Sequence, residues 1–479
     1  MDLDPPHPTD FRPVELDLLV IGSGPGGQRA AIQAAKLGKR VAVAERRDRL
    51  GGVSIHTGTI PSKTLRQATL EQLATRPLDV LDPTRVEETE REAIQQLLDR
   101  ASAVVAAETA ITREQFRRNR VGLLPGHAKF VDDHTVRIDD GDELIRAERI
   151  VIAAGTRPAR PSTVQFDDRT IIDSDGLLKL ERRVPRTMTV VGAGVIGVEY
   201  ASMFGTLGSK VTVVDQRDRV LTFLDGEIGE AFQYLLRRAN VTFRLREKVD
   251  AVEALPGRGA RLTLASGKEI VSEAVLYATG RQGDTDALGL DKTGLKPDKR
   301  GRIQVDENYR TAVPHIFAVG DCAGGGLAAT AMEQGRIAAL EAFDHSVDSL
   351  PDLIPTGVYA IPELAMVGAT EEDLTDKAVP YVCGIARYSE LARGVITSDR
   401  EGMLKLLVSP EDRRVLGVHV LGTSATELVH IGQAVMASGA GGLDFLVTAV
   451  FNYPTFAESY KVAALDADNR IKAMKAFGN

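Results

Sequence analysis

The sequence predicts an α/β protein in which two strand–turn–helix–strand units precede a C-terminal α+β domain. Three observations carry that prediction. A G-x-G-x-x-G run closes a short apolar strand twice, at Gly22-Ser23-Gly24-Pro25-Gly26-Gly27 and at Gly192-Ala193-Gly194-Val195-Ile196-Gly197. Each run opens a helix, and the strand after that helix leads to an acid, Glu45 or Asp215, 23 positions beyond the first glycine. From Pro351 the texture changes to short strands and helices in which no such run recurs.

In the first unit, residues 14–22 (VELDLLVIG) read as a buried parallel strand, because the apolar run is short and ends in glycine. A helix follows through Leu37, stopped by Gly38, and a strand from Arg40 to Ala44 leads to Glu45. This is the setting a dinucleotide fingerprint requires. Gly22 makes the turn, Gly24 admits a pyrophosphate to the backbone, and Gly27 lets helix and strand pack; Glu45 accepts from ribose hydroxyls. The second unit repeats every part: strand Met188–Val191, a helix to Leu207 stopped by Gly208, and strand Lys210–Val214 ending on Asp215. Gly192, Gly194 and Gly197 take the roles of the first three glycines. Two such units imply two Rossmann-like nucleotide-binding domains, and so two different nucleotides on one chain.

Residues 64–120 are rich in helix formers, and Pro77 and Pro83 divide them into two helices. ETEREAIQQLLDR reads as a solvated face. Residues 121–148 alternate short strands with turns at Gly126 and Asp140-Gly141, and a strand Arg149–Ala154 reaches Gly155. Leu276–Gly280 (LYATG) echoes Ile152–Gly155 (IAAG), which marks Gly155 and Gly280 as corresponding candidates. A strand within 311–321 ends on Gly320-Asp321, and a helix runs from Ala328 to Phe343. Beyond Pro351, strands are expected at Gly357–Ile361, Leu404–Val408 and Leu416–Leu421, with helices at Ser424–Ser438 and Ser459–Met474.

At 479 residues the chain is too long for one core. Its 43% hydrophobic and 26% charged content is ordinary for a globular protein, and the net charge of -8 argues against a nucleic-acid partner. No apolar run approaches the roughly 20 residues that span a bilayer, so no membrane partner is expected. The N-terminus, MDLDPPHPTDFRP, lacks a basic and an apolar region and reads as a mobile arm rather than a secretion signal. Two cysteines, Cys322 and Cys383, exclude a disulfide scaffold and a cysteine-rich metal site, and no metal is expected. Scattered reduced cysteines fit a cytoplasmic setting.

The stretch Gly51 to Leu65, GGVSIHTGTIPSKTL, resembles the flavin-facing segment of the pyridine nucleotide–disulfide oxidoreductases, with a helix beginning after Pro61. The resemblance covers the chain from about residue 14 to its end. It implies FAD on the Gly22 unit and NAD(P) on the Gly192 unit. It also implies a C-terminal dimerisation domain that makes a homodimer. The expected boundaries are 1–13 for the arm, 14–160 and 283–350 for the two parts of the FAD-binding domain, 161–282 for the NAD(P)-binding domain and 351–479 for the interface domain. Gly52 belongs to the flavin segment. Asp321 is implied on the ribityl chain, and the helix from Ala328 points its N-terminus at the pyrimidine end, which favours an anionic reduced ring. Lys63 and Glu199 match positions that pair beside flavin N5.

Three departures occur together. Ser54 and Thr59 stand where the family has its two redox cysteines, and Tyr453, in Phe451–Glu458, stands where it has a histidine held by a glutamate, here Glu458. A hydroxyl cannot shuttle electrons as a thiolate–disulfide pair does. A base without a thiol to deprotonate has no task. Within the family, GTIPSK, FNYPT and His56 resemble the soluble pyridine nucleotide transhydrogenases, some of which keep the first cysteine where this chain has Ser54. That resemblance implies hydride transfer from NADPH to NAD+ through the flavin in a ping-pong cycle. An NAD(P)H diaphorase or quinone reductase would use the same residues, and a catalytically silent flavin-binding regulator is the reading from another class. Asp215 suits the ribose of NAD, and Arg217 and Arg219 suit a 2′-phosphate, a mixed signature for an enzyme that uses both. His56 reads as a packing residue, His430 as a core or interface residue, and Cys322 as structural.

Overall fold

The computed structural model describes residues 15–46, 50–75, 86–139, 144–177, 184–346, 349–439 and 441–477. The N-terminal arm, Pro77, Pro83 and the turn at Asp140-Gly141 lie outside them.

Glu15–Ile21 is an inner strand of the first sheet. It pairs in parallel with Val41–Glu45 on one side and Leu144–Ile152 on the other, and these pair in turn with Gly122–Pro125 and Ile316–Ala318. Leu18, Leu19 and Val20 are fully buried, as expected of a parallel sheet covered on both faces. The second sheet repeats the layout. Thr187–Val191 lies between Lys210–Asp215 and Ala274–Tyr277, flanked by Val241–Leu245 and Ile171–Asp173, all parallel. In both sheets the fingerprint helix, Pro25–Lys36 or Val195–Thr206, leaves the end of that inner strand. The third sheet is antiparallel and runs Thr356–Val358, Leu364–Gly368, Val415–Leu421, Met403–Val408, Val382–Arg387. Helices Ala425–Ala437 and Glu458–Phe477 pack on it through Val429, Tyr460, Ala463 and Ala467.

Several expected boundaries move. The helix placed after Pro61 begins at Thr59, with Pro61 inside its first turn. The first-turn N–H groups have no intrahelical acceptor, so proline costs nothing there. Gly52–His56 forms a short helix of its own. The strand expected over Gly357–Ile361 is only Thr356–Val358, because the next residues bond to other elements instead.

The second and third sheets are joined by a buried charge cluster. Lys405 is fully buried on the strand Met403–Val408. Its Nζ lies 2.8 Å from Asp225 Oδ1 and 2.9 Å from Glu227 Oε2, both at the start of helix Gly226–Arg238, and also contacts Glu371. Burial opposes charge on Lys405 and on Asp225, but their mutual pairing wins: the ammonium pKa is raised and the Asp225 pKa lowered. Removing one partner of such a cluster strands the others, so Lys405→Met should cost about 3–5 kcal/mol in denaturant unfolding. The pH dependence has two signs. The Asp225 contribution is present above the ordinary carboxylate pKa of about 4 and disappears as pH falls through its lower folded value. The Lys405 contribution is complete below about pH 10 and is lost as pH rises through its higher folded value. Lys405→Met should flatten both limbs of the melting temperature against pH.

Candidate active site

The glycine turns are set by backbone contact. Gly22 has φ +103°, and a Cβ there would lie 2.3 Å from the Ala153 carbonyl oxygen. A Cβ on Gly27 would lie 2.0 Å from the Gly22 carbonyl oxygen. Gly192 and Gly197 repeat both clashes, at 2.4 Å from Ala278 O and 1.9 Å from Gly192 O. Gly24 and Gly194 differ: nothing lies within 4 Å of an added Cβ. That open space is where a pyrophosphate needs to come close, and each of these two glycines caps its helix without a side-chain hydrogen bond. Gly155 and Gly280, at φ +68° and +147°, are equally open.

In the first unit the turn opens into a concave, open-sided cleft, the kind of site in which small molecules and cofactors bind. Gly22, Gly24, Glu45, Gly52, Ser54, Thr59, Gly155, Asp321 and Ala328 all line it. Gly27 lies behind its wall, where it packs the helix onto the turn. The Glu45 carboxylate accepts from the Ser23 N–H at 2.9 Å and from the Ser23 hydroxyl. That hydroxyl accepts from Gly51 N–H at 2.9 Å, which ties the fingerprint to the Gly51 segment. Asp321 accepts from the Thr156 hydroxyl at 2.9 Å. No cysteine lines the cleft. Cys322 is buried beside it, its thiol bonded to the Val319 and Ile152 carbonyls and its pKa pushed up to about 11 by burial.

Lys63 and Glu199 meet although 136 residues separate them: Nζ lies 2.8 and 2.6 Å from the two carboxylate oxygens. Lys63 stands one turn into helix Thr59–Thr75, whose first residue, Thr59, lines the cleft; Glu199 stands on the second fingerprint helix. The pair therefore sits between the two nucleotide units without lining the cleft itself. The carboxylate is nearly buried at 4% side-chain exposure, and the ammonium at 26% keeps one side open.

At the second unit, both Asp215 oxygens are engaged. Arg217 forks onto them at 2.9 and 2.7 Å, and the N–H groups of Ala193 and Arg217 donate at 2.6 and 2.8 Å. Burial raises the Asp215 pKa, but these donors together hold it below the usual carboxylate range. Arg219, expected here as well, points elsewhere and pairs at the surface with Glu372 of the third sheet's domain at 2.8 Å.

Tyr453 is 68% exposed and does not line the cleft of its own chain. Glu458, its motif partner, has a buried carboxylate oxygen without a hydrogen bond. His56 bonds the Leu50 carbonyl at 2.7 Å. His430 is no core residue: it is exposed and contacts Gln433. No local pattern marks Arg66, Ser202, Tyr359 or Glu363, which close around the Lys63–Glu199 pair, nor the Arg46–Asp284 pair at the cleft wall. Each joins residues far apart in the chain, and no local spacing reports such a contact.

A cleft at the first dinucleotide turn and a second such turn, bridged by a Lys–Glu pair, fit a two-nucleotide oxidoreductase. The chain belongs to the pyridine nucleotide-disulphide oxidoreductase family, which residues 16–335 match, and residues 354–464 match its dimerisation domain. FAD is that family's cofactor, with NAD(P)H as substrate. The chain is 53% identical over 469 residues to the soluble pyridine nucleotide transhydrogenase of Mycobacterium tuberculosis, covering 97% of this chain and 99% of that protein. It is 44% identical to the transhydrogenase of the same name from Hahella chejuensis, covering 95% and 98%. Among solved structures it is similar to the HOCl-induced flavoprotein disulfide reductase RclA from Escherichia coli, with a TM-score of 0.84, 27% identity and coverage of 94% and 99%.

The open and closed glycines separate binding from folding. Gly24→Ala meets no protein atom, so the apoprotein should melt within about 1 kcal/mol of wild type yet bind FAD at least about tenfold more weakly. Gly27→Ala must push the turn apart and should lower the apoprotein melting temperature as well. Apoprotein melting with FAD fluorescence titration reads both; Gly24→Ala binding FAD normally would refute the assignment.

Proposed function

We propose that the protein transfers hydride from NADPH to NAD+; its relatives are named soluble pyridine nucleotide transhydrogenases. The observation that carries this reading is the closed Lys63–Glu199 pair between two intact nucleotide turns, with Ser54 and Thr59 lining the cleft where a thiol relay would stand. FAD, when bound, accepts a hydride from one nicotinamide and returns it to another. The Gly22 unit holds its pyrophosphate, Glu45 its ribose, and Asp321 its ribityl chain. The Lys63 ammonium, fixed by Glu199, opposes the negative charge that arrives with the hydride. No side chain need supply a proton, since hydride exchange between nicotinamides requires neither acid nor base. Both nicotinamides use the Gly192 unit in turn, which makes the cycle ping-pong.

Dual use of that unit falls to Asp215 and Arg217. With NAD(H), the carboxylate turns from the guanidinium to the ribose hydroxyls; with NADP(H), the guanidinium turns to the 2′-phosphate and leaves the carboxylate to its backbone donors. We further infer a homodimer through the C-terminal domain, where Val450 at 98% exposure, Tyr453 and Phe445 form apolar surface that a second copy would cover. We also infer a cytoplasmic setting from the free thiols of Cys322 and Cys383.

Anaerobic stopped-flow decides the main point: NADPH should bleach the flavin and NAD+ should restore its colour, with parallel-line steady-state kinetics. Reduced protein that ignores NAD+ but reacts with a quinone would convert the reading to a quinone reductase. Lys63→Met should slow bleaching by about 10²–10³. Arg217→Ala should weaken NADPH binding about tenfold while leaving NADH within about twofold.

A further inference from the structure

The residues that set the Lys63–Glu199 pair in place come from the C-terminal domain. Lys63 and Arg66 share one face of helix Thr59–Thr75, and Glu199 and Ser202 share one face of helix Val195–Thr206, each pair three residues apart. The segment 359–363 enters between the two faces and bonds to both. Tyr359 N–H donates to Glu199 Oε1 at 2.8 Å, and Ile361 N–H donates to the Ser202 hydroxyl oxygen at 3.0 Å. Arg66 Nε donates to the Ala360 carbonyl at 2.7 Å and its guanidinium pairs with Glu363 at 3.0 Å. Glu363 is held at its far side by the Thr426 N–H and hydroxyl, at 3.2 and 3.0 Å. The Tyr359 ring lies 4.9 Å from Lys63 Nζ, so the ammonium rests on an aromatic face while its protons point to Glu199.

We propose that Tyr359 is a positioning residue for hydride transfer: its N–H fixes the Glu199 carboxylate and its ring seats the Lys63 ammonium. A lysine side chain has four rotatable bonds, and a carboxylate on one side leaves the others free to swing. The ring restrains a second side and leaves the exposed one open. The charge then meets the arriving hydride from one place, as electrostatic preorganisation demands. The proposal rests on the reading that Lys63 faces the flavin.

The test compares Tyr359→Phe with Tyr359→Leu in the FAD-loaded protein. The phenylalanine keeps the ring and the N–H; the leucine keeps only the N–H. Tyr359→Leu should bleach with NADPH about tenfold more slowly, with the NADPH KM within about twofold, and should shift the flavin midpoint potential to more negative values because the reduced anion loses its fixed counter-charge. Tyr359→Phe should match wild type in all three. A leucine variant with normal bleaching and potential overturns the proposal, as does a phenylalanine variant impaired like the leucine. If Tyr359→Leu does not fold, Ser202→Ala carries the test by freeing the same segment; it should slow bleaching and lower the potential, and no change in either overturns the proposal. Lys63→Met separates the two levels. If it leaves potential and bleaching unchanged, the reading of Lys63 fails; if it alone alters them while Tyr359→Leu is silent, only the role of Tyr359 fails.

Discussion

Everything at this site depends on backbone packed against backbone at two glycine turns. An added Cβ at Gly27 or Gly197 would sit about 2 Å from the carbonyl of the first glycine of the same turn. Helix, turn and strand therefore pack at a distance that only glycine allows. That contact aims the first N–H groups of each helix into open space beside Gly24 and Gly194, where phosphate can lie without displacing protein. The acids at the ends of the following strands then fall at one fixed place, each accepting from the backbone N–H of the residue after the first glycine, Ser23 or Ala193. The two units agree to this level of detail because the same constraint built both.

Chemistry enters where the two units face each other. Neither owns the Lys63–Glu199 pair: the cation belongs to the helix that begins at the first unit's cleft and the anion to the second unit's fingerprint helix. A nearly buried carboxylate beside a partly exposed ammonium gives a charge that is fixed yet open on one side. The two thiol positions are hydroxyls, and Cys322 is buried, bonded and of raised pKa, so no sulfur at the cleft competes with direct hydride exchange.

The antiparallel domain does more than offer a face to a second copy. It grips the second dinucleotide unit through the buried Lys405 cluster and reaches the Lys63–Glu199 pair through Tyr359–Glu363. A buried cation ringed by carboxylates is costly to assemble and costly to break. It suits an arrangement in which the relative placement of two sheets decides where Lys63 and Glu199 meet.

The sequence by itself determined the repeated units, their glycines, their terminal acids and the loss of thiols, because these are local: a turn with φ near +100° and a helix packed on its own strand leave their mark within about 25 positions. The match of Lys63 to Glu199 was visible only through resemblance. Tertiary structure alone decided that Arg219 serves Glu372, that Tyr453 stands away from its own chain's cleft, and that Tyr359 and Arg66 close around the central pair. Such contacts bring together residues from 100 to 300 positions apart, and side chains that meet only after the sheets have docked leave no periodicity along the chain.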